Sequence, residues 1–137
     1  MRDAIMSQSR VAELEAHYGS DEALGVYWDE MEGRSLLPDG EPAVMCGACA
    51  AYIVELEGAG KVVGFYDGTN PTAHAAGYAG GGHDFALIDD RYIVDPWVKE
   101  TGLTSTRAVF DLQNPDDADE IAWLYGNPAR WDIATPS

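Results

Sequence analysis

Long hydrophobic runs are missing from this chain. No stretch approaches the ~20 apolar residues of a membrane span, and Met1-Arg2-Asp3-Ala4-Ile5-Met6-Ser7-Gln8 holds no apolar core of signal-peptide length. Lysine is almost absent, at two residues (Lys61 and Lys99), and the basic residues number 8 against 24 acidic ones, a formal charge of −16. A surface of that sign repels phosphate backbones and anionic lipid, which argues against nucleic acid and membrane surfaces as partners. Cysteine is limited to Cys46 and Cys49, too few for the disulfide framework of a secreted domain. Together these absences predict a cytoplasmic home, or export by a route that leaves no N-terminal signal. The Lys-poor, Asp-rich balance would suit a high-salt cytoplasm, and an ordinary acidic soluble protein accounts for it equally well.

What is present suffices for a packed core. The chain has 137 residues, 46% of them hydrophobic, with four Trp and seven Tyr, the make-up of one globular domain spanning 1–137. Val11, Leu14 and Tyr18 fall at helical spacing and predict a helix from Ser9 to Tyr18, stopped by Gly19. A second helix, capped by Ser20 or Asp21, is expected through Leu24, Tyr27, Trp28 and Met31 to Gly33. The Pro- and Gly-containing stretch Arg34 to Pro42 reads as a loop. A third helix is expected from Cys46 to Glu57, with Cys46, Cys49, Ala50, Ile53 and Leu56 on one face and Glu55 and Glu57 pointing elsewhere.

Lys61-Val62-Val63-Gly64-Phe65-Tyr66 is strand-like. Residues 67–82 form a Gly- and Ala-rich loop, long enough to suggest a functional or gating segment. Asp84 to Ile88 and Tyr92 to Asp95 predict a β-hairpin around Asp89-Asp90-Arg91. Thr106 to Leu112 is a further strand, and Asn114-Pro115 opens a final helix ending at Gly126. The tail from Asn127 contains no element that the pattern resolves. This order predicts an α+β fold.

A thiol is a strong nucleophile only as thiolate, and a helix N-terminus favours that anion. Cys46 is placed at such a start, Gly47 leaves room for a substrate carbonyl, and small Ala50 follows one turn on. His83 begins one hairpin strand and Asp95 ends the other, so the hairpin brings them together if the register allows. A two-residue turn puts them on opposite faces. The three-residue turn Asp89-Asp90-Arg91 pairs Phe85 with Asp95 and sets His83 diagonally on the same face.

Helix-start Cys, a strand opening Gly82-His83, and a strand closing Val94-Asp95-Pro96-Trp97 follow the linear order of papain-like and transglutaminase-like cysteine hydrolases. Cys46-x-x-Cys49 opening a helix resembles papain-fold toxin domains, and Cys46-Gly47 resembles the start of bacteriocin-processing peptidases. In both groups the first Cys is the nucleophile. Gly47-Ala48-Cys49-Ala50-Ala51-Tyr52 also resembles the papain nucleophile segment, which would select Cys49.

The resemblance spans about Cys46 to Trp97 and implies a papain-like core with a Cys–His–Asp triad. Thiolate attacks a peptide or protein amide, His83 carries the proton, and Asp95 orients the imidazole. It implies no cofactor and no resident metal, and leaves hydrolysis, deamidation and acyl transfer open. Substrate contacts are expected at Gly47, Gly82 and Trp97, the last either shielding the site from water or packing the hairpin end. No Gln precedes the Cys to donate to an oxyanion, so that role would pass to the Cys46 or Gly47 backbone N–H.

Three other readings compete. Cys-x-x-Cys at a helix start is also a thioredoxin-like redox motif, although that fold needs a buried strand before it. A zinc site from Cys46, Cys49, His74 and His83 has suitable Cys spacing, but eight residues separate the two His, beyond the usual three to five. A non-enzymatic module with a vestigial constellation is the third, since buried Cys and strand-start His are commonly structural. His17 and His74 are expected to face solvent.

Overall fold

The computed structural model describes residues 2–42, 46–66, 73, 82–100 and 107–133, and the side chains of 2–7, 21, 46 and 100 lie outside that description. The fold is α+β. Helix α1 (Arg2–Tyr18) begins earlier than the apolar spacing predicted and ends at Gly19, whose N–H donates to Glu15 O at 2.7 Å. Ser20 caps the next turn by accepting from Ala23 N at 3.0 Å.

The predicted second helix is corrected here: α2 covers only Asp21–Leu24. Gly25, at φ +83°, then reverses the chain, and Tyr27–Asp29 (β1) pairs antiparallel with Arg34–Leu36 (β2). The spacing of Leu24, Tyr27, Trp28 and Met31 misled because the core covers Leu24 but not the residues after it: Trp28 is 63% and Met31 98% exposed. Aromatic strand propensity and the Asp29 carboxylate, which accepts from Met31 N and Glu32 N, favour the hairpin instead.

Helix α3 (Cys46–Glu57) and strand β3 (Lys61–Tyr66) have the predicted bounds. Strand β4 (Gly82–Ile88), strand β5 (Tyr92–Val94) and strand β6 (Val109–Asp111) follow, with the short helix α4 (Pro96–Glu100) between the last two. Helix α5 (Ala118–Tyr125) starts later than Asn114-Pro115 predicted. Asn114 spends its side-chain oxygen on Asp116 N, and the buried Asp117 carboxylate is held by Arg107 at 2.8 Å and by Asp111 N, which fixes 114–117 as turns. The tail adds a strand the sequence did not reveal, β7 (Asp132–Ile133), docked on β3.

The main sheet runs β6-β5-β4-β3-β7, antiparallel throughout. Strand side chains alternate between faces, and the core is accordingly double. Val62, Ala86, Ile88, Val94 and Val109 pack with Leu14 and Tyr18 of α1 and with Cys49, Ala50 and Ile53 of α3. Val63, Phe65, Phe85, Ile93 and Phe110 pack with Trp97 and Val98 of α4 and with Ile121, Leu124 and Tyr125 of α5. At the β6 edge, Glu15 accepts from both Ala108 N and Val109 N at 2.8 Å, satisfying donors an edge would otherwise expose. Among the described residues no helix is long and apolar enough to cross a membrane.

Candidate functional site

The hairpin turn is the three-residue one. Ile88 pairs with Tyr92, Leu87 with Ile93 and Ala86 with Val94. Asp89 and Asp90 both adopt the left-handed region, at φ 57° and 53°, which Asp tolerates better than most residues. One step along this register stands Phe85 opposite Asp95, with His83 on the diagonal. His83 Nε2 and Asp95 Oδ2 are 2.6 Å apart, buried.

The Tyr125 hydroxyl donates to the same Asp95 oxygen at 2.8 Å. Burial, and then the adjacent Asp95 carboxylate, push the Tyr125 phenol well above its ordinary value, so it remains a donor. Trp97 lies 4.4 Å from His83 between ring centroids, and Phe65, Phe85 and Tyr125 complete the aromatic surround. With Nε2 held by Asp95, the nitrogen for proton transfer would be Nδ1.

Cys49 is placed differently. His83 shares a face of β4 with Phe85, in the cluster containing α4 and α5, whereas Asp84, Ala86 and Ile88 face α3. Cys49 is 2% exposed in the α3-side cluster, so the sheet separates its sulfur from the His83 ring. That arrangement also keeps Cys49 and His83 from sharing one zinc ion. His74, the segments 67–72 and 74–81, and the Cys46 side chain lie outside the described residues. Among the described residues no group of three or more His, Cys, Asp or Glu side chains is gathered to hold a metal. The strand described before α3 is β2, in the separate two-stranded sheet, not the buried strand a thioredoxin-like motif requires. His17, by contrast, is exposed, as its position predicted.

The residue facing the start of α3 is one that sequence reasoning did not single out. Asp84 lies against Gly47: a β-carbon there would stand 3.2 Å from Asp84 Oδ2. The same carboxylate crosses Gly64, its partner on β3, where any side chain would collide with it. Burial raises the Asp84 carboxyl above the usual carboxylate range, partly opposed by His83. Gly64, Phe65, Tyr66, Gly82, His83, Asp84, Asp132 and Ile133 line a cleft of about 270 Å³ at this end of the sheet. The signals for Asp84 were two glycines, Gly64, which strand register sets opposite it, and Gly47, which only the docking of α3 brings to it.

Gly82 and Gly47 thus border the α3 side of β4, and His83, one residue from the strand end, faces the other side with Trp97 and Asp95. Comparison with family models, curated proteins and solved structures finds no match to this chain, so the site rests on its own geometry.

Proposed function

We propose that this protein is a thiol-dependent hydrolase or acyltransferase with a papain-like core, acting on a peptide or protein amide, with Cys46 as nucleophile, His83 as base and Asp95 as its orienting carboxylate. The observation that carries the reading is the buried 2.6 Å contact between His83 and Asp95. It requires the odd-length turn, and a second donor, Tyr125, locks the carboxylate in place.

Gly47 touching Asp84 sets the first turn of α3 beside the start of β4, and the helix N-terminus there favours thiolate at Cys46. Cys46 is preferred to Cys49 because the latter is core. The reaction forms a C–S bond to the amide carbon. The C–N bond breaks as the imidazolium gives its proton to the departing amine, and water or a second amine then releases the thioester.

A specific observation favours a second reading. The His83 side chain is fully buried, at 0% exposure, on the face of the sheet away from α3. For catalysis a thiol must reach it around the end of β4, past Gly82, over which the Tyr66 ring lies. If the ring never meets a thiol, the His83–Asp95–Tyr125 group is a structural network within a binding module.

Alkylation by iodoacetamide across pH, with mass-spectrometric assignment, tests the choice. Cys46 is expected to react with an apparent pKa well below the free-thiol value of ~8.5, and Cys49 only on unfolding. His83→Gln and Asp95→Asn, both shape-conserving, are expected to return Cys46 to ordinary titration. Ordinary titration in the unaltered protein would instead establish the structural network.

A further inference from the structure

We infer that Tyr125 is a positioning residue of the proposed site: its hydroxyl donates to the oxygen that His83 also holds, and so lowers the pH at which the His83 ring takes up a proton. Asp95 Oδ2 lies 2.6 Å from His83 Nε2 and 2.8 Å from the Tyr125 hydroxyl. Burial obliges a phenol to find an acceptor, and any backbone carbonyl would serve. Here the acceptor is a carboxylate oxygen already committed to an imidazole, so two donors share one charge.

Packing aims the hydroxyl. Tyr125 is fully buried. Its ring lies 4.7 Å from that of Phe85 and 5.9 Å from that of Phe110, and Trp131 Nε1 donates to its backbone carbonyl at 2.9 Å. With His83 neutral, the His83–Asp95 pair carries one negative charge in a buried site, where a hydrogen bond to that charge is strongest. With the imidazole protonated the pair is neutral overall and depends less on the hydroxyl. Tyr125 therefore favours the neutral imidazole, the form that can accept a thiol proton.

Among the described residues, Asp84 and Asp132 lie on the α3 face of the sheet, and Glu120 of α5 acts on Tyr125 itself. Of the cations, Arg107 pairs with Asp117, and Lys99 of α4 donates to Gly19 O. Removing one hydroxyl leaves all of these charges in place, so a shift at His83 reports the shared oxygen. This inference deepens the proposed function and rests on it for its catalytic meaning.

The test is an NMR titration of the His83 ring in the intact, histidine-labelled chain, its resonance assigned by loss in His83→Gln. Tyr125→Phe, which removes one oxygen and keeps the ring, is expected to raise the His83 midpoint by about one pH unit, a tenfold gain in proton affinity. An unmoved or lowered midpoint, with or without a loss of stability, would assign the hydroxyl to the fold alone and overturn the inference. A ring that titrates in neither protein would overturn it as well. If the variant does not fold, the unaltered protein decides: the Tyr125 Cζ resonance is expected to move at the pH where His83 titrates, and indifference to that titration rejects the shared oxygen. The ring readout needs no thiol. An unmoved ring with Cys46 alkylated below the free-thiol range rejects the Tyr125 role alone, and a shifted ring with ordinary thiol titration rejects the catalytic reading alone.

Discussion

Asp84 keeps its proton to higher pH in the folded protein than in the unfolded chain, because burial between Gly47 and Gly64 penalises its charge. Between the ordinary carboxylate range and that raised value, the folded state binds more protons, so stability falls as pH rises. Asp84→Asn is therefore expected to raise Tm at pH 7, by at most about 1 kcal/mol of stability once solvent screening is allowed for. The gain should vanish below about pH 4, where both states are protonated. Thermal melts at the two pH values check this, and a loss of Tm at pH 7 would mean the carboxylate supports the fold. His83 and Asp95 were legible as a pair because turn length alone decides whether they share a face. Which face they share relative to α3 was not, since that depends on where the helix docks.

Helices α1 and α3 meet through a residue whose predicted direction was wrong. The inward face of α3 was expected to run through Cys46, Cys49, Ala50, Ile53 and Leu56, but Leu56 is 55% exposed and Glu57 turns inward. The reason is its partners: the Tyr18 hydroxyl donates to Glu57 at 2.6 Å and Arg10 at 3.0 Å. The Tyr18 bond, ahead of the Arg10 contacts, lowers the Glu57 carboxyl below its usual range. A depressed carboxylate contributes stability that is present above its unfolded pKa and lost as pH falls through the folded one. Tyr18→Phe is accordingly expected to cost about 1 kcal/mol at pH 7 and less at pH 3, by urea denaturation at both. An equal loss at the two would show that packing, not the hydrogen bond, is what Tyr18 supplies. The β4–β5 hairpin, α3 and β3 were readable because their periodicity and turn chemistry are local. The β1–β2 hairpin was not, because a helical spacing of Leu24, Tyr27 and Trp28 becomes a face only if something covers it.

Across the whole molecule acid is in excess, with 24 acidic residues against 8 basic ones. Arg91 pairs with Asp111, Arg107 with Asp117 and Arg10 with Glu57, which takes three of the few cations out of general neutralisation. The remaining carboxylates repel one another over the screening length of about 10 Å at 0.1 M salt, shortened to about 3 Å at 1 M. Raising sodium chloride over that range is expected to increase Tm by a few degrees, read by differential scanning fluorimetry. A fall in Tm would show that those ion pairs outweigh the repulsion.

By itself the sequence determined the α+β class, the helix opening at Cys46, and the meeting of His83 with Asp95, since each follows from spacing within one element or one turn. The tertiary structure alone decided that α3 lies over Asp84 and not His83, that β7 sets a second carboxylate beside Gly64, and that Cys49 belongs to the core. Those outcomes depend on which surfaces of distant segments bury together, and packing free energy is a property of the assembled layers.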